Sequence, residues 1–347
     1  MAGSTGPSAD DVQAVAWLVR GGWVSQCVRA MAELGLADAL AEPATVDRLA
    51  AHTSTTPEAL RRLLRALADA GLVASDGDGR YRLTSRGDVL RRDHPSGLRS
   101  MALMQTWGPN LLAWTRLSSA VATDEGTFEA ANGAPMWETL SRYPEELAVF
   151  NAAMARRAGL QARTVRAACD LAGVHTVVDV GGGKGGLLAA LLRDEPGLRG
   201  VLADRADVVA EAGETLERAG VADRCEVRVA DFFVEVPSGG DAYVLSNILH
   251  DWPDGECRRI LATVRAAMTP GARLWVLERV LDPDPPRPAA AQADLHLLDL
   301  HMLVLFGARE RTRSEYAALL AGAGFTTPVV HSPSPDFDVV EARHDGT

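Results

Sequence analysis

A glycine-rich loop after an apolar run is the first segment whose residues could do chemistry. Asp179 lies in that run, and residues 181–186 read Gly-Gly-Gly-Lys-Gly-Gly. Glycines suit such a loop because a side chain would block the close approach of backbone to a ligand. The spacing that begins at Gly181 fits the G-x-G-x-x-G pattern of dinucleotide folds, and Asp179 with Gly181 and Gly183 equally fits the acidic glycine loop of methyltransferases. The loop alone leaves both ligands open, together with a tight turn that binds nothing.

Acidic residues end the two β-branched runs that follow the loop. Asp204 comes where a carboxylate accepts hydrogen bonds from both hydroxyls of a ribose, about 20 residues further on. Asp231 ends the next run and precedes Phe232, so the pair could bind the amino group of an adenine and cover its ring. Asp231 taken alone is equally well explained as a helix N-cap. Together the acids and the glycines favour a ligand that contains adenosine.

His250 is the residue best suited to acid–base chemistry. It lies in the sequence Leu-His-Asp-Trp, residues 249–252, directly after a fourth β-branched run. An imidazole titrates near neutral pH and can accept the proton of a hydroxyl group. An isolated histidine more often satisfies a helix end, so this segment needs its context before a role is assigned.

Length and composition bound the kind of protein that carries these residues. The chain has 347 residues, 47% of them hydrophobic and 23% charged, which is ordinary for a globular protein of two domains. Its formal net charge of -11 disfavours a nucleic-acid partner. Four scattered cysteines indicate neither disulfides nor structural zinc. The N-terminus lacks the features of a signal peptide, and no run reaches the about 18 apolar residues of a membrane span, so we expect a cytoplasmic protein without a membrane partner.

The first half of the chain predicts helices and one winged helix-turn-helix. Apolar residues recur at three- and four-residue steps in 11–40, as on a helix with one apolar face. Residues 45–87 read as a short helix, a polar turn, a longer helix and a hairpin at Asp76–Gly79. Such a unit binds DNA in regulators and serves dimerisation in enzymes, so both roles stay open at this point. Residues 98–160 again look helical.

The second half changes to short β-branched runs separated by helical stretches. That alternation predicts a parallel, doubly wound sheet, which makes the fold class α/β. We expect three parts: an N-terminal winged-helix-like domain over 1–100, connecting helices over 101–162 and a ligand-binding domain over 163–347.

At the fourth of these runs, the sequence resembles the small-molecule O-methyltransferase family typified by plant caffeate methyltransferase. It looks closest to the bacterial branch that modifies polyketides and antibiotics. The resemblance spans most of the chain, and its motifs are the winged helix, Phe150-Asn151 with Met154, DVGGGKGG, ADFF, LHDW, a glutamate after the fifth run, and GARERTRSEYAALLAGAGF. It implies a Rossmann-like class I methyltransferase sheet, an N-terminal dimerisation domain and S-adenosyl-L-methionine as cofactor.

The resemblance also implies roles for the catalytic positions. His250 matches the general base of the family, and Glu278 and Glu310 match the two acids beside it. A phenol has a pKa near 10, so an imidazole that removes its proton makes the oxygen a better nucleophile. A carboxylate bonded to the other ring nitrogen fixes the tautomer and favours the imidazolium that forms. This scheme requires no metal.

One position departs from the plant pattern, and four others are implied to contact substrate. Ser246 replaces the lysine of the plant members, so the methionine carboxylate of the cofactor must find another partner. The resemblance implies a small aromatic substrate and a homodimer formed by the N-terminal helices. The implied substrate contacts are Met154, Asp251, His301 and Met302, and helix packing explains His301 and Met302 equally well.

Three rival functions remain at this stage. A DNA-binding regulator that senses a nucleotide-like ligand would use the arginines of the winged helix, but it would not need His250, Glu278 and Glu310. An NAD-dependent oxidoreductase would need a hydride-transfer site, and the sequence has no clear Tyr-x-x-x-Lys pattern. A relative that keeps the cofactor but hydroxylates or decarboxylates its substrate would share every motif named above.

Overall fold

The computed structural model describes residues 7–77 and 79–346, so Asp78 of the predicted hairpin lies outside the described residues. Close contacts divide the chain into two units. Unit 1 comprises Met1–Leu111 and Tyr143–Arg156, and unit 2 comprises Leu112–Arg142 and Arg157–Thr347. The predicted boundaries at 100 and 162 remain predictions about domains.

The first half of the chain is mainly helical, and in the second half strands alternate with helices. The helices are α1 (Ala9–Val19), α2 (Gly21–Glu33), α3 (Leu36–Ala39), α4 (Val46–Thr53), α5 (Pro57–Asp69), α6 (Ser85–Asp88), α7 (Leu98–Gln105), α8 (Gly108–Trp114), α9 (Leu117–Thr123), α10 (Phe128–Asn132), α11 (Met136–Ser141), α12 (Pro144–Ala168), α13 (Gly186–Asp194), α14 (Ala206–Val209), α15 (Ala212–Arg218), α16 (Asp254–Ala267), α17 (Ala289–Phe306) and α18 (Arg313–Gly322). The strands are β1 (Ala44–Thr45), β2 (Val73–Ser75), β3 (Arg80–Leu83), β4 (Thr176–Val180), β5 (Arg199–Asp204), β6 (Cys225–Val229), β7 (Ala242–Ser246), β8 (Arg273–Glu278), β9 (Val329–His331) and β10 (Asp338–Arg343). Short 3₁₀ helices cover Ala222–Arg224 and Leu249–Asp251.

Unit 1 contains the predicted winged helix. Helix α5 begins with Pro57 at its first turn, where a missing N–H costs nothing, and buries Leu60, Leu64 and Leu67 on one face. The strands β1, β3 and β2 form a small antiparallel sheet in that order. The buried leucines of α5 pack with those of α3 and α4 into one core.

The first helices of unit 1 carry apolar side chains that this core does not cover. Among the described residues of α1, none is buried. Leu18 is 75% exposed and Trp23, in α2, is 71% exposed, with Val15 and Val19 exposed beside them. A contiguous apolar surface of this kind is typical of a protein–protein interface.

Unit 2 is built on a sheet of seven strands among the described residues, in the order β6-β5-β4-β7-β8-β10-β9. The strands β6, β5, β4, β7 and β8 are mutually parallel, as the sequence predicts. The last two strands, β10 and β9, pair antiparallel at one edge, which the sequence analysis did not predict. Charged residues interrupt the apolar pattern that would predict β10: the strand starts with the buried Asp338 and contains Glu341 and Arg343.

Helices cover both faces of the parallel part of the sheet. Alternate residues of β4 point to opposite faces, so Val177 joins one buried cluster while Val178 and Val180 join the other. Helix α17 is long and apolar enough to cross a membrane by composition alone. Leu295 and Val304 of that helix are nevertheless fully buried within unit 2.

A buried arginine fixes the loop that follows β7. The guanidinium of Arg311 donates hydrogen bonds to the backbone carbonyls of Leu249 and Trp252, each at 2.9 Å. It also bonds the carboxylate of Asp254 at 2.9 Å. Arg311 and Leu249 are fully buried, so the Leu249 carbonyl has no water to replace this donor.

We predict that Arg311→Met lowers the free energy of unfolding by about 3 kcal/mol or more, because buried carbonyls lose their donor. Arg309→Met is the matched control, since Arg309 bonds the same Asp254 from an exposed position. That control should cost less than about 1 kcal/mol. Urea denaturation measures both values, and equal losses would contradict the role of Arg311.

Candidate active site

The residues singled out in the sequence meet at one edge of the sheet in unit 2. Asp179 lies in β4, Asp204 ends β5, Ser246 ends β7 and Glu278 ends β8. These strands are parallel neighbours, so their carboxyl ends lie side by side. Ligands of open α/β sheets bind at this edge. His250 follows in the short 3₁₀ helix after β7.

The glycine loop has a backbone that favours glycine. Gly181 has φ +70° and Gly183 has φ +62°, a conformation that residues with a Cβ adopt rarely. Open space surrounds the position where a Cβ of Gly183 would stand. The N–H of Gly183 donates to the Asp204 carboxylate at 2.8 Å, which ties the loop to the end of β5. Burial raises the pKa of Asp204.

Asp179 is a buried carboxylate whose two oxygens find no hydrogen-bond donor among the described residues. Burial, and then the nearby charge of Asp204, raise its pKa to about 7. Buried polar atoms nearly always have partners, so an unpaired carboxylate beside a glycine loop fits a ligand that supplies donors. This observation agrees with a cofactor that carries an amino group and hydroxyls.

Asp231 and Phe232 lie beyond the end of β6. One oxygen of the exposed Asp231 accepts the N–H of Phe233 at 2.9 Å and forms a turn, so it caps no helix. The Phe232 ring stands edge-on to Trp252, with centroids 6.1 Å apart. A half-buried aromatic ring next to an acid can cover the face of a heterocycle.

Ser246 is bonded to a residue that the sequence analysis did not single out. The side-chain amide of the buried Gln161, on α12, donates to the Ser246 hydroxyl at 2.8 Å. The hydroxyl proton of Ser246 thereby remains available to an acceptor in the site. A polar pair stands where the plant members carry a charged lysine.

Glu310 holds the His250 ring. Its Oε1 lies 2.8 Å from Nδ1 of His250 and accepts the ring proton. The other ring nitrogen, Nε2, lies 3.4 Å from Oδ1 of Asp251. Burial by itself lowers the pKa of His250, but the Glu310 and Asp251 carboxylates outweigh it and raise it to about 9. Burial raises the pKa of Asp251 to about 7.

Glu278 supports the backbone and not the ring. Its Oε1 accepts the backbone N–H of His250 at 3.1 Å, and its Oε2 accepts a short hydrogen bond from the Tyr316 hydroxyl. Burial raises the pKa of Glu278. The two fully buried glutamates therefore have different contacts: Glu310 orients the imidazole of His250, and Glu278 fixes the backbone turn that contains His250.

Glu310 is in turn positioned by α17. The side chain of Asp299 accepts the backbone N–H of Glu310 at 2.9 Å. The second carboxylate oxygen of Glu310 has no partner among the described residues. A buried acceptor beside the imidazole is thus left for a further donor.

His301 forms a second, neutral imidazole in unit 2. Trp114 donates its indole N–H to Nδ1 of His301 at 2.9 Å, with the rings nearly parallel. An indole can only donate, so Nδ1 carries no proton and Nε2 must carry one. Burial, and then the charge of His250, lower the pKa of His301 to about 4. This histidine presents a fixed N–H donor.

The remaining predicted substrate contacts lie on two helices. Met302 is buried on α17, next to His301 in the chain. Met154 is partly buried on α12, in the part that belongs to unit 1. In the described residues, no group of three or more acidic, histidine or cysteine side chains could hold a metal ion.

Four residues that support the site escaped the sequence analysis. Gln161, Tyr316 and Asp299 lie on helices and look like ordinary polar or core residues, and Trp114 reads as packing. Each acts through a contact with a residue more than ten positions away in the chain. Only Tyr316 lies inside a motif that the resemblance includes.

Comparisons with known proteins identify the family of the chain. Residues 114–326 match the model of an O-methyltransferase domain, and residues 17–93 match that of an O-methyltransferase dimerisation domain. The chain is 39% identical to a mitomycin biosynthesis 6-O-methyltransferase of Streptomyces lavendulae, over 88% of this chain and 87% of that protein.

Solved structures of O-methyltransferases are similar to this chain over most of its length. The structure of a mitomycin 7-O-methyltransferase superposes with a TM-score of 0.89 at 37% identity, covering 97% of this chain and 98% of the other. An O-methyltransferase from neocarzinostatin biosynthesis, solved with S-adenosylmethionine and 2-hydroxy-5-methyl naphthoic acid, has a TM-score of 0.80 at 33% identity, covering 92% of this chain and 95% of the other.

We predict that Glu310→Gln lowers the pKa of His250 from about 9, because the carboxylate that most opposes the effect of burial is removed while Asp251 remains. Glu278→Gln is the matched control and should move this pKa much less, since Glu278 bonds only the backbone of His250. Titration of ¹⁵N-labelled imidazole by NMR measures both. Equal shifts in the two variants would contradict the separate roles.

Proposed function

This chain belongs to the S-adenosylmethionine-dependent O-methyltransferase family, and we propose that it methylates a hydroxyl of a small aromatic metabolite with His250 as general base. Enzymes of this family transfer a methyl group from the cofactor in the tailoring of secondary metabolites such as antibiotics. The observation that carries the proposal is the Nδ1 contact to Glu310, which leaves Nε2 of a buried imidazole to receive a proton.

The cofactor supplies a methyl group on a positively charged sulfur. Nε2 of His250 would accept the proton of the substrate hydroxyl as that oxygen bonds the methyl carbon and the methyl–sulfur bond breaks to leave a neutral thioether; Glu310 would stabilise the imidazolium that forms. In the ligand-free protein, the carboxylates favour the protonated ring, so the base must be deprotonated before the reaction. Asp251, whose Oδ1 lies 3.4 Å from Nε2, would help to orient the substrate.

We assign the cofactor contacts to the ends of the strands. Asp204 accepts the ribose hydroxyls, Asp231 accepts the adenine amino group, and Phe232 covers the ring. Gly181 and Gly183 give close backbone approach, and the unpaired carboxylate of Asp179 is available to donors of the cofactor. Ser246 meets the methionine end.

We assign the substrate contacts in unit 2 to Asp251, His301 and Met302; Met154, in unit 1, stays a prediction from the resemblance. The fixed Nε2–H of His301 suits a keto or hydroxyl oxygen on the same ring system as the reacting hydroxyl. Met302 adds a polarisable apolar surface that suits an aromatic ring. The free state of the four described cysteines fits a reducing cytoplasm.

We predict that His250→Ala lowers methyl transfer from labelled S-adenosylmethionine to phenolic polyketides by about 100-fold or more, because the hydroxyl loses its proton acceptor. Cofactor affinity, measured by calorimetry, should change little. His331→Ala, at a surface histidine paired with Glu341, is the control. Near-normal turnover in His250→Ala would disprove the general-base role.

Product masses distinguish methyl transfer from the chemistry of a non-methylating relative. An O-methylated product gains one methylene unit, a hydroxylated product gains one oxygen, and a decarboxylated product loses carbon dioxide. A regulator would instead bind random duplex DNA at low salt, which the acidic composition disfavours.

We also propose a homodimer formed through the N-terminal helices. Its basis is the exposed apolar surface of α1 and α2, together with the match of residues 17–93 to a dimerisation domain. Burying such a surface against a second copy removes apolar area from water.

We predict that Leu18→Glu combined with Trp23→Glu converts the dimer to a monomer, because charges then face an apolar interface. Light scattering after size exclusion measures the mass. Val234→Glu, which changes an equally exposed valine of unit 2, should leave the dimer intact. A wild-type monomer, or dimers in the double variant, would contradict this interface.

A further inference from the structure

Arg157 lies on α12 within unit 2, one helical turn before Gln161. Residues four apart on a helix share a face, and Gln161 on that face bonds Ser246 at the carboxyl end of β7. The Arg157 guanidinium stacks on the buried ring of Phe337, with Cζ 4.8 Å from the ring centroid. Phe337 precedes Asp338, which pairs with Glu278 at the end of β8. Arg157 therefore stands at the edge of the sheet where the site lies.

This guanidinium has no acceptor. Among the described residues, no carboxylate lies within 4.0 Å of Arg157 and no oxygen accepts a hydrogen bond from it; its one recorded contact is the Phe337 ring. Arg157 is partly buried, and two arginines of unit 2 with almost fully buried side chains differ from it. Arg311 bonds two carbonyls and Asp254, and Arg287 bonds the buried Asp338 and the carbonyl of Val280. Guanidinium groups that lose water normally have such partners, because desolvation without them is costly.

The charges that act on Arg157 come from one part of unit 2. Burial, and then the charge of Arg279, lower the pKa of Arg157 to about 10, while Glu310, Asp336 and Asp294 act in the opposite direction. These residues belong to the half of unit 2 that follows β8. None of the acids assigned to the cofactor is among them.

We propose that Arg157 binds a carboxylate on the aromatic substrate, so that the enzyme selects hydroxylated aromatic acids over their neutral derivatives. The inference rests on the proposed function for the identity of the reacting hydroxyl. A planar guanidinium can donate two parallel hydrogen bonds to the two oxygens of a carboxylate. The Phe337 ring under it fixes the orientation of the guanidinium plane. Phe337, the residue under Arg157, directly precedes Asp338, which pairs with Glu278 at the strand end that also holds the turn of His250.

A carboxylate has two sources here, because the methionine end of the cofactor also carries one and lacks the lysine of the plant members. The experiment separates them. Calorimetry measures the binding of a hydroxynaphthoic acid and of its carboxamide to the protein saturated with S-adenosylhomocysteine. A separate titration measures the affinity for S-adenosylhomocysteine itself.

Arg157→Met should weaken binding of the acid by about 10- to 100-fold and leave the carboxamide nearly unchanged, because a charged hydrogen bond is lost. Arg157→Lys should retain part of the preference for the acid. Arg163→Met, which removes an exposed arginine from the same helix, should change neither ligand. Circular dichroism and thermal unfolding confirm that each variant is folded.

Three results would overturn the assignment: a wild-type protein that binds the acid no better than the carboxamide, a preference that survives in Arg157→Met, or a loss confined to S-adenosylhomocysteine. The last result would assign Arg157 to the cofactor. Because these are binding measurements, the acid preference can stand even if methyl transfer is absent, which separates this inference from the proposed function.

Discussion

The site depends on burying three carboxylates around one imidazole. Glu310, Glu278 and Asp251 all lose water near His250, and such like charges repel one another unless each is given hydrogen bonds or a counter-charge. The fold supplies these partners: Nδ1 of His250 bonds the Glu310 carboxylate, and Tyr316 on α18 donates to Glu278. The short turn after β7 is held as well, through the Arg311 bonds to two of its carbonyls. The imidazole is positioned by a network and not by one contact.

The sequence predicted the parts of this arrangement that depend on local pattern. Asp204 and Ser246 end buried β-branched runs, so their positions at neighbouring strand ends follow from the parallel α/β class. The pattern of apolar residues does not predict that Glu278 and Glu310 lie beside His250. That prediction came from the resemblance to the family. Their different contacts, one to the backbone and one to the ring, depend on side-chain packing that no spacing encodes. The edge hairpin of β9 and β10 was missed because Asp338 and Glu341 interrupt its apolar pattern.

Ser246, which stands where the plant members carry a lysine, has a polar partner in this structure. Ser246 is short and neutral, and Gln161 reaches it from α12 with an amide donor. The same helix face carries Arg157 one turn earlier, so α12 brings both an amide and a cation to the carboxyl edge of the sheet. Helix α12 is therefore a part of the site that the glycine loop and the Leu-His-Asp-Trp segment do not reveal.

Burial of His301 and the carboxylates beside His250 keep the two histidines in opposite electrical states over a broad range of acidity. With pKa values of about 4 and about 9, one ring stays uncharged and the other stays cationic through the neutral range in the ligand-free protein. The Trp114 indole, which donates to Nδ1 of His301, fixes the tautomer of the uncharged ring. The His301 ring thus offers the same donor in mildly acidic and mildly alkaline surroundings, and sensitivity to protons is left to His250 and the carboxylates beside it.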